Sequence, residues 1–167
     1  MLSSRLEANA GKMRSAFRAK MYDQAIASAK TVETTSDSQA LRREALYIQA
    51  KSYLFTSRRE EAFVILRRLA AEPSTAEGAE ARYLIIQSKF DAGLFGEVES
   101  LVYDFSSKAG DQSYWLAKSF IVLADSFVER GNIEQAVVTY ESVRDGYTAP
   151  EEGDDILQTV EQKLSTL

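Results

Sequence analysis

Residues 120–143, which read FIVLADSFVERGNIEQAVVTYESV, decide the fold of this chain. On both sides of Gly131, apolar and small side chains recur at i, i+3, i+4 and i+7, the period of a helix with one buried face. Glycine tolerates the left-handed backbone that ends helices, and Asn132 is a favourable N-cap for the helix that follows. The stretch therefore predicts two helices joined by a tight turn. The same period, without strand-like alternation, continues over almost the whole chain.

This helix–turn–helix pattern recurs along the chain with spacings of 37, 36 and 38 residues. The aligned column on the second helix of each pair contains Ala25, Ala62, Val98 and Ala136. Twelve residues earlier, where the two helices of a pair should cross, stand Met13, Ala50, Ile86 and Ala124. The turn, five residues before the column, contains Lys20, Ser57, Gly93 and Gly131. The core face, seven residues after it, contains Val32, Leu69, Phe105 and Val143. A helical pair repeated at such a period is the sequence signature of an α-solenoid.

The pattern divides the chain into four repeats, at about residues 3–36, 37–74, 75–110 and 111–148. Ile156, Val160 and Leu164 then form an apolar stripe at helical spacing, which predicts a capping helix over residues 151–166. Such a helix would cover the open face of the last repeat. We therefore expect a single helical repeat domain over residues 1–167.

Large, small and aromatic residues also recur at fixed offsets inside the repeats. In the last repeat they are Phe120, Leu123, Ala124, Phe127, Gly131, Ala136, Tyr140 and Val143, and in the second they are Leu46, Ala50, Tyr53, Ala62, Leu66, Leu69 and Pro73. These offsets resemble the tetratricopeptide repeat (TPR) family. The third repeat departs from the pattern at Arg82 and Lys89, and the spacing is similar to that of bacterial envelope repeat proteins. The resemblance implies an all-α, right-handed α-solenoid of about four TPR-like helix–turn–helix units plus a C-terminal capping helix.

The resemblance also implies a partner-binding groove lined by the first helix of each pair. The groove positions are Arg14, Phe17, Tyr47, Lys51, Leu54, Tyr83, Gln87, Phe90 and Asp125. Such a groove would take a peptide or helix with apolar side chains, and its acidic groups would face Arg14 and Lys51. The alternative is that the aromatic residues, Tyr83 and Phe90 in particular, pack between repeats and are not open to a partner.

Composition excludes several classes of site. The chain has no Cys and no His, so thiolate nucleophiles, Ser-His-Asp triads and thiolate- or imidazole-bound zinc are excluded. No pattern indicates catalytic residues, a cofactor or a metal, and we expect no enzymatic activity. The net charge of −5 argues against nucleic-acid binding, and no stretch approaches the ~20 apolar residues of a membrane span, so we expect no membrane insertion.

The sequence therefore predicts a noncatalytic protein–protein interaction scaffold that binds a segment of another protein. The alternative is a structural or assembly element, in particular the terminal fragment of a longer bacterial repeat protein. Residues 1–70 carry a net charge of +6 and residues 71–167 a net charge of −11, which favours head-to-tail self-association. The compartment is not decided by the sequence: a fragment would favour the bacterial periplasm or envelope, and a full-length chain the cytoplasm.

Overall fold

The computed structural model describes the backbone of residues 2–167 and the side chains from residue 3 onward. Within that range the secondary structure consists of nine α-helices and no strand, which confirms the predicted all-α class. The helices are α1 (Leu2–Arg18), α2 (Tyr22–Thr35), α3 (Gln39–Phe55), α4 (Arg59–Leu69), α5 (Ala76–Asp91), α6 (Phe95–Ser106), α7 (Ser113–Glu129), α8 (Ile133–Gly146) and α9 (Ile156–Ser165).

The turn inside each helical pair has the same backbone geometry. The aligned turn residues Lys20, Ser57, Gly93 and Gly131 have φ angles of 61°, 60°, 74° and 76°. The amide after each turn residue donates to a carbonyl five residues earlier, as Met21 N does to the Ala16 oxygen at 2.8 Å. This is the Schellman closure of a helix, which needs one left-handed residue. Glycine supplies it without steric penalty, whereas Lys20 and Ser57 adopt it at a cost of roughly 1 kcal/mol each.

By its internal contacts the chain divides into two compact units, Met1–Ala71 and Glu72–Leu167. We call them the N-terminal unit, which contains α1 to α4, and the C-terminal unit, which contains α5 to α9. The single domain over residues 1–167 and the right-handed sense of a solenoid stay predictions.

The core of the N-terminal unit is built from small residues around one large side chain. Met13 is fully buried against Ala25, Ala29 and Ala45, and Val32 closes the cluster. Alanine side chains let neighbouring helices approach closely, so α2 packs against both α1 and α3. The predicted crossing residue Met13 and core residue Val32 therefore both lie inside.

The core of the C-terminal unit contains larger side chains, with Phe105 completely buried among branched residues of α5 to α9. Ile156 and Val160 of α9 belong to this core, and α9 packs on α7 and α8. The capping helix begins at Ile156, because Gly153 has a φ of 78° and the Ile156 amide donates to Asp154 Oδ1 at 3.0 Å. Its outer face is polar, with exposed Gln158, Glu161, Gln162 and Ser165.

Candidate partner-binding surfaces

Arg14 joins the first helices of the two repeats in the N-terminal unit. Its Nε and Nη2 atoms donate to the two carboxylate oxygens of Glu44, each at 2.7 Å, in a bidentate ion pair between α1 and α3. The hydrogen bond raises the pKa of Arg14 and lowers the pKa of Glu44. The predicted role of Arg14 toward acidic partner groups stays a prediction, and such groups would compete with Glu44.

An aromatic surface occupies the end of the N-terminal unit where α1 and α3 finish. The Tyr22 and Phe55 rings stack with centroids 5.3 Å apart, and the Phe17 ring lies 6.1 Å from Tyr22 and 6.3 Å from Phe55. The Lys51 ammonium lies 5.7 Å from the Phe55 centroid and equally far from that of Tyr47. We call Phe17, Tyr22, Lys51 and Phe55 the Phe55 cluster.

Three of the predicted groove residues bear on this cluster. Phe17 and Lys51 belong to it, and Leu54 is half-buried beside Phe55 on α3. The sequence prediction missed Tyr22 and Phe55, although Phe55 is 57% exposed. The position of Tyr22 in the sequence could have indicated this contact. Tyr22 lies two residues after the turn residue Lys20, at the helix end that carries Phe17.

In the C-terminal unit, a cavity of about 250 Å³ lies between α5, α7 and α9. We call it the α5–α7–α9 cavity. Its lining contains Tyr83, Gln87, Lys118, Ile121, Val122, Asp125, Asp155, Ile156, Thr159 and Lys163. The predicted groove residues Tyr83, Gln87 and Asp125 thus meet at one place. Phe90 does not line the cavity, and its ring packs 5.6 Å from that of Phe95.

Asp125 is the polar centre of one wall of the cavity. Its Oδ1 atom accepts hydrogen bonds from Lys163 Nζ at 2.9 Å and from the hydroxyl of Tyr140. Tyr140 is only 2% exposed, and burial followed by the bond to Asp125 raises the pKa of Tyr140. Asp125 therefore links α7 to α8 and α9, in addition to facing the cavity.

Lys118 lines the cavity from the same face of α7 as Asp125, and aromatic rings surround it. Its ammonium is 4.9 Å from the Tyr83 centroid, 5.5 Å from Tyr114 and 5.6 Å from Trp115. Such contacts stabilise a cation by about 0.5–2 kcal/mol, depending on desolvation. The Tyr114 hydroxyl donates to Asp155 Oδ1 at 3.1 Å, and burial together with this bond raises the pKa of Tyr114 to about 12.

The sequence prediction missed Lys118, although the residue shares a helix face with two others. It precedes Ile121 by three residues and Asp125 by seven on α7, so all three point to the same side. A lysine at this spacing indicates nothing by itself. Only the packing of α5 against α7 brings the Tyr83 ring over its ammonium.

No helix in the described part of the chain is both long and apolar enough to cross a membrane. Among the same residues, no group of three or more acidic side chains is placed to hold a metal ion.

Comparison with known proteins identifies one segment. Residues 44–75 match the family model of the tetratricopeptide repeat. No curated protein and no solved structure matches the chain. The matched segment contains most of α3, all of α4 and the turn between them. The turn has its left-handed residue at Ser57, as the other three pairs have at the aligned position. Residues 44–75 of this all-helical chain are therefore similar to a tetratricopeptide repeat, and the match confirms the resemblance that the sequence indicates for that segment.

Proposed function

We propose that this chain is a noncatalytic protein–protein interaction module whose C-terminal unit binds a segment of a partner in the α5–α7–α9 cavity. The match to the tetratricopeptide repeat supports an interaction module. We choose this cavity as the site because three of the predicted groove residues, Tyr83, Gln87 and Asp125, lie together in its lining. Concave sites with apolar walls and a few convergent polar groups are the usual places for ligands.

The lining of the cavity indicates what kind of segment it accepts. Ile121 and Val122 supply an apolar wall, and the half-buried Tyr83 ring supplies contact area at a small entropy cost. Among the residues that the structure describes, Lys118 contacts rings and forms no ion pair. Its ammonium favours an acidic side chain beside the apolar anchor of the partner.

The test compares cavity variants with a matched surface variant in affinity capture from an extract of the source cell. Gln87→Ala and Lys118→Glu alter the wall and leave the buried core intact. Tyr103→Ala is the control, because Tyr103 is 52% exposed on α6 and does not line the cavity. Circular dichroism at 222 nm confirms that each variant is as helical as the wild type.

We expect a protein that is retained by the wild type and by Tyr103→Ala and lost by both cavity variants. Equal retention by Gln87→Ala, Lys118→Glu and the wild type would overturn the cavity as the binding site. Equal loss with Tyr103→Ala would also overturn it, because the effect would then not be specific to the cavity.

A second candidate function is an assembly element that associates head to tail, and one observation favours it. The boundary between the compact units falls at Ala71 and Glu72, and the charge of the chain divides at the same place. The N-terminal unit has 13 Lys and Arg against 7 Asp and Glu, net +6, and the C-terminal unit has 7 against 18, net −11. Exposed charges are screened over about 8–10 Å at physiological salt, so association should weaken as salt increases.

Sedimentation velocity at about 0.05 M and about 0.5 M NaCl tests this second candidate. Concentration-dependent association that weakens in high salt would support it. A monomer at every concentration and both salt levels would rule it out and leave the cavity proposal unaffected.

A further inference from the structure

We propose that the Phe55 cluster of one copy docks residues 149–155 of a second copy of this chain, with basic side chains around the cluster pairing with Glu151 and Glu152. This inference rests on the second candidate function and names the two surfaces that meet. Within the docked segment, Asp155 also lines the α5–α7–α9 cavity, and the charge reversals below leave Asp155 unchanged.

The Phe55 cluster has exposed apolar surface that its own unit does not cover. Phe55 is 57% exposed, although large apolar side chains are usually buried. The half-buried rings of Phe17 and Tyr22 lie beside Phe55 and hold it in place. Exposed apolar surface next to polar residues is typical of an interaction site.

Basic residues are close to this apolar surface in the chain. Arg18 directly follows Phe17 and Lys20 lies two residues before Tyr22; both are exposed, and neither has an ionic partner among the residues that the structure describes. Arg58 Nη2 pairs with Asp23 Oδ1 at 2.6 Å, which ties the turn before α4 to the start of α2. The Lys51 ammonium lies over the Phe55 ring. The surface is therefore aromatic and has basic residues close to it in the chain.

Residues 149–155 of the C-terminal unit have the complementary chemistry. Pro150, Glu151 and Glu152 are exposed, and neither glutamate has an ion pair within the described residues. Two bonds hold the segment: the Tyr147 hydroxyl donates to Asp154, and the Tyr114 hydroxyl donates to Asp155. A segment that is already ordered loses little conformational entropy when it binds.

The proposed contact pairs an apolar ring with aromatic rings and acidic side chains with basic ones. A proline ring packs well on aromatic faces, so Pro150 suits the stacked Tyr22 and Phe55 rings. The two glutamates that follow it then lie near Arg18 and Lys20. The contact joins different surfaces of two copies, so it is heterologous and adds copies in a row. Stable protein–protein interfaces bury roughly 1,200–2,000 Å² of surface. A contact between the Phe55 cluster and seven residues buries less than that, so we expect weak association.

An anionic membrane is the competing occupant of an aromatic and basic surface. The net charge of −5, with −11 on the C-terminal unit, repels an anionic bilayer as a whole. A second copy brings its acidic segment to the basic cluster without that penalty, and the chemistry of both sides is present in this chain.

Complementary charge reversals test the proposal. One variant carries Arg18→Glu and Lys20→Glu, and the other carries Glu151→Lys and Glu152→Lys. Sedimentation equilibrium over roughly 10–500 µM protein measures self-association. We expect each variant alone to lose at least about tenfold in association constant, and an equimolar mixture of the two to recover it as mixed pairs.

Matched controls carry the same charge changes at other exposed positions. Arg42→Glu with Arg67→Glu is the basic control, and Glu134→Lys with Glu161→Lys is the acidic control. We expect these to change the association constant by less than about threefold. Phe55→Ser, which leaves every charge in place, should reduce association as well, and circular dichroism verifies the fold of each variant.

Each result decides between the proposals. A wild type that does not associate overturns both this inference and the second candidate function. Association that the reversals at Arg18 and Lys20 weaken no more than the controls overturns the inference alone. Lack of rescue in the mixture also overturns it. Cosedimentation with vesicles of about 30% phosphatidylserine that is lost with Phe55→Ser would assign the surface to lipid instead.

Discussion

Replacing Asp125 by alanine should destabilise the C-terminal unit, although the sequence places Asp125 in a partner-binding groove. The carboxylate accepts bonds from Tyr140 and Lys163, which are on α8 and α9. Asp125→Ala leaves the hydroxyl of Tyr140 without its acceptor in a position where the residue is only 2% exposed.

The magnitude follows from the two bonds. A buried hydroxyl without a partner costs about 1–3 kcal/mol. The Lys163 pair adds less than about 1 kcal/mol, because its side chains are 37% and 22% exposed and partly screened by solvent. We expect Asp125→Ala to lower the free energy of unfolding by about 2–3 kcal/mol. For a chain of this size that corresponds to a fall in Tm of about 4–12 °C.

The assay is urea unfolding followed by ellipticity at 222 nm, with Tyr140→Phe and the double variant in the same series. Tyr140→Phe removes the donor and should cost about 1 kcal/mol. The two losses should be non-additive, with a coupling energy of about 1–2 kcal/mol. A cost for Asp125→Ala below about 0.5 kcal/mol, or purely additive losses, would refute the reasoning.

Three further outcomes follow from the structure. Phe105→Ala should cost about 3–5 kcal/mol in urea unfolding, because Phe105 is fully buried and a cavity would replace its ring; a loss below about 1 kcal/mol would contradict this. Arg14→Ala should cost no more than about 1 kcal/mol in the same assay, because its side chain is 47% exposed in the pair with Glu44; a loss above about 2 kcal/mol would show that the pair is structural. The folded-state pKa of Tyr114 lies above its ordinary value near 10, so the stability it contributes is complete below pH 10 and is lost as the pH rises toward about 12; Tyr114→Phe should reduce this loss in melts at pH 9 and 11, and an unchanged loss would be contrary to the assignment.

Much of the fold could be predicted because the pattern that specifies it is local. Gly131 and its counterparts at Lys20, Ser57 and Gly93 were assigned to turns from spacing alone, and all four have left-handed backbone. The closure of a helix needs such a residue within a few positions of its end. The capping helix was predicted by the stripe of Ile156, Val160 and Leu164, although the helix begins after Gly153 and not at residue 151.

The candidate site could be predicted only in part. Tyr83, Gln87 and Asp125 were selected by register and meet at one cavity. Lys118 lies at the same cavity and was not selected, because its role depends on rings contributed by another helix. The sequence could not show that Arg14 is held by Glu44, 30 residues away.

The sequence by itself determined the helices, the turns and the paired arrangement, because helical periodicity and helix closure depend on residues at most a few turns apart. It also determined the division of charge, which is a matter of composition. The tertiary structure alone decided which polar groups meet. Asp125 accepts hydrogen bonds from Tyr140, 15 residues away in the sequence, and from Lys163, 38 residues away. A helix phase says which way a side chain points, and only the packed neighbours decide what it touches there.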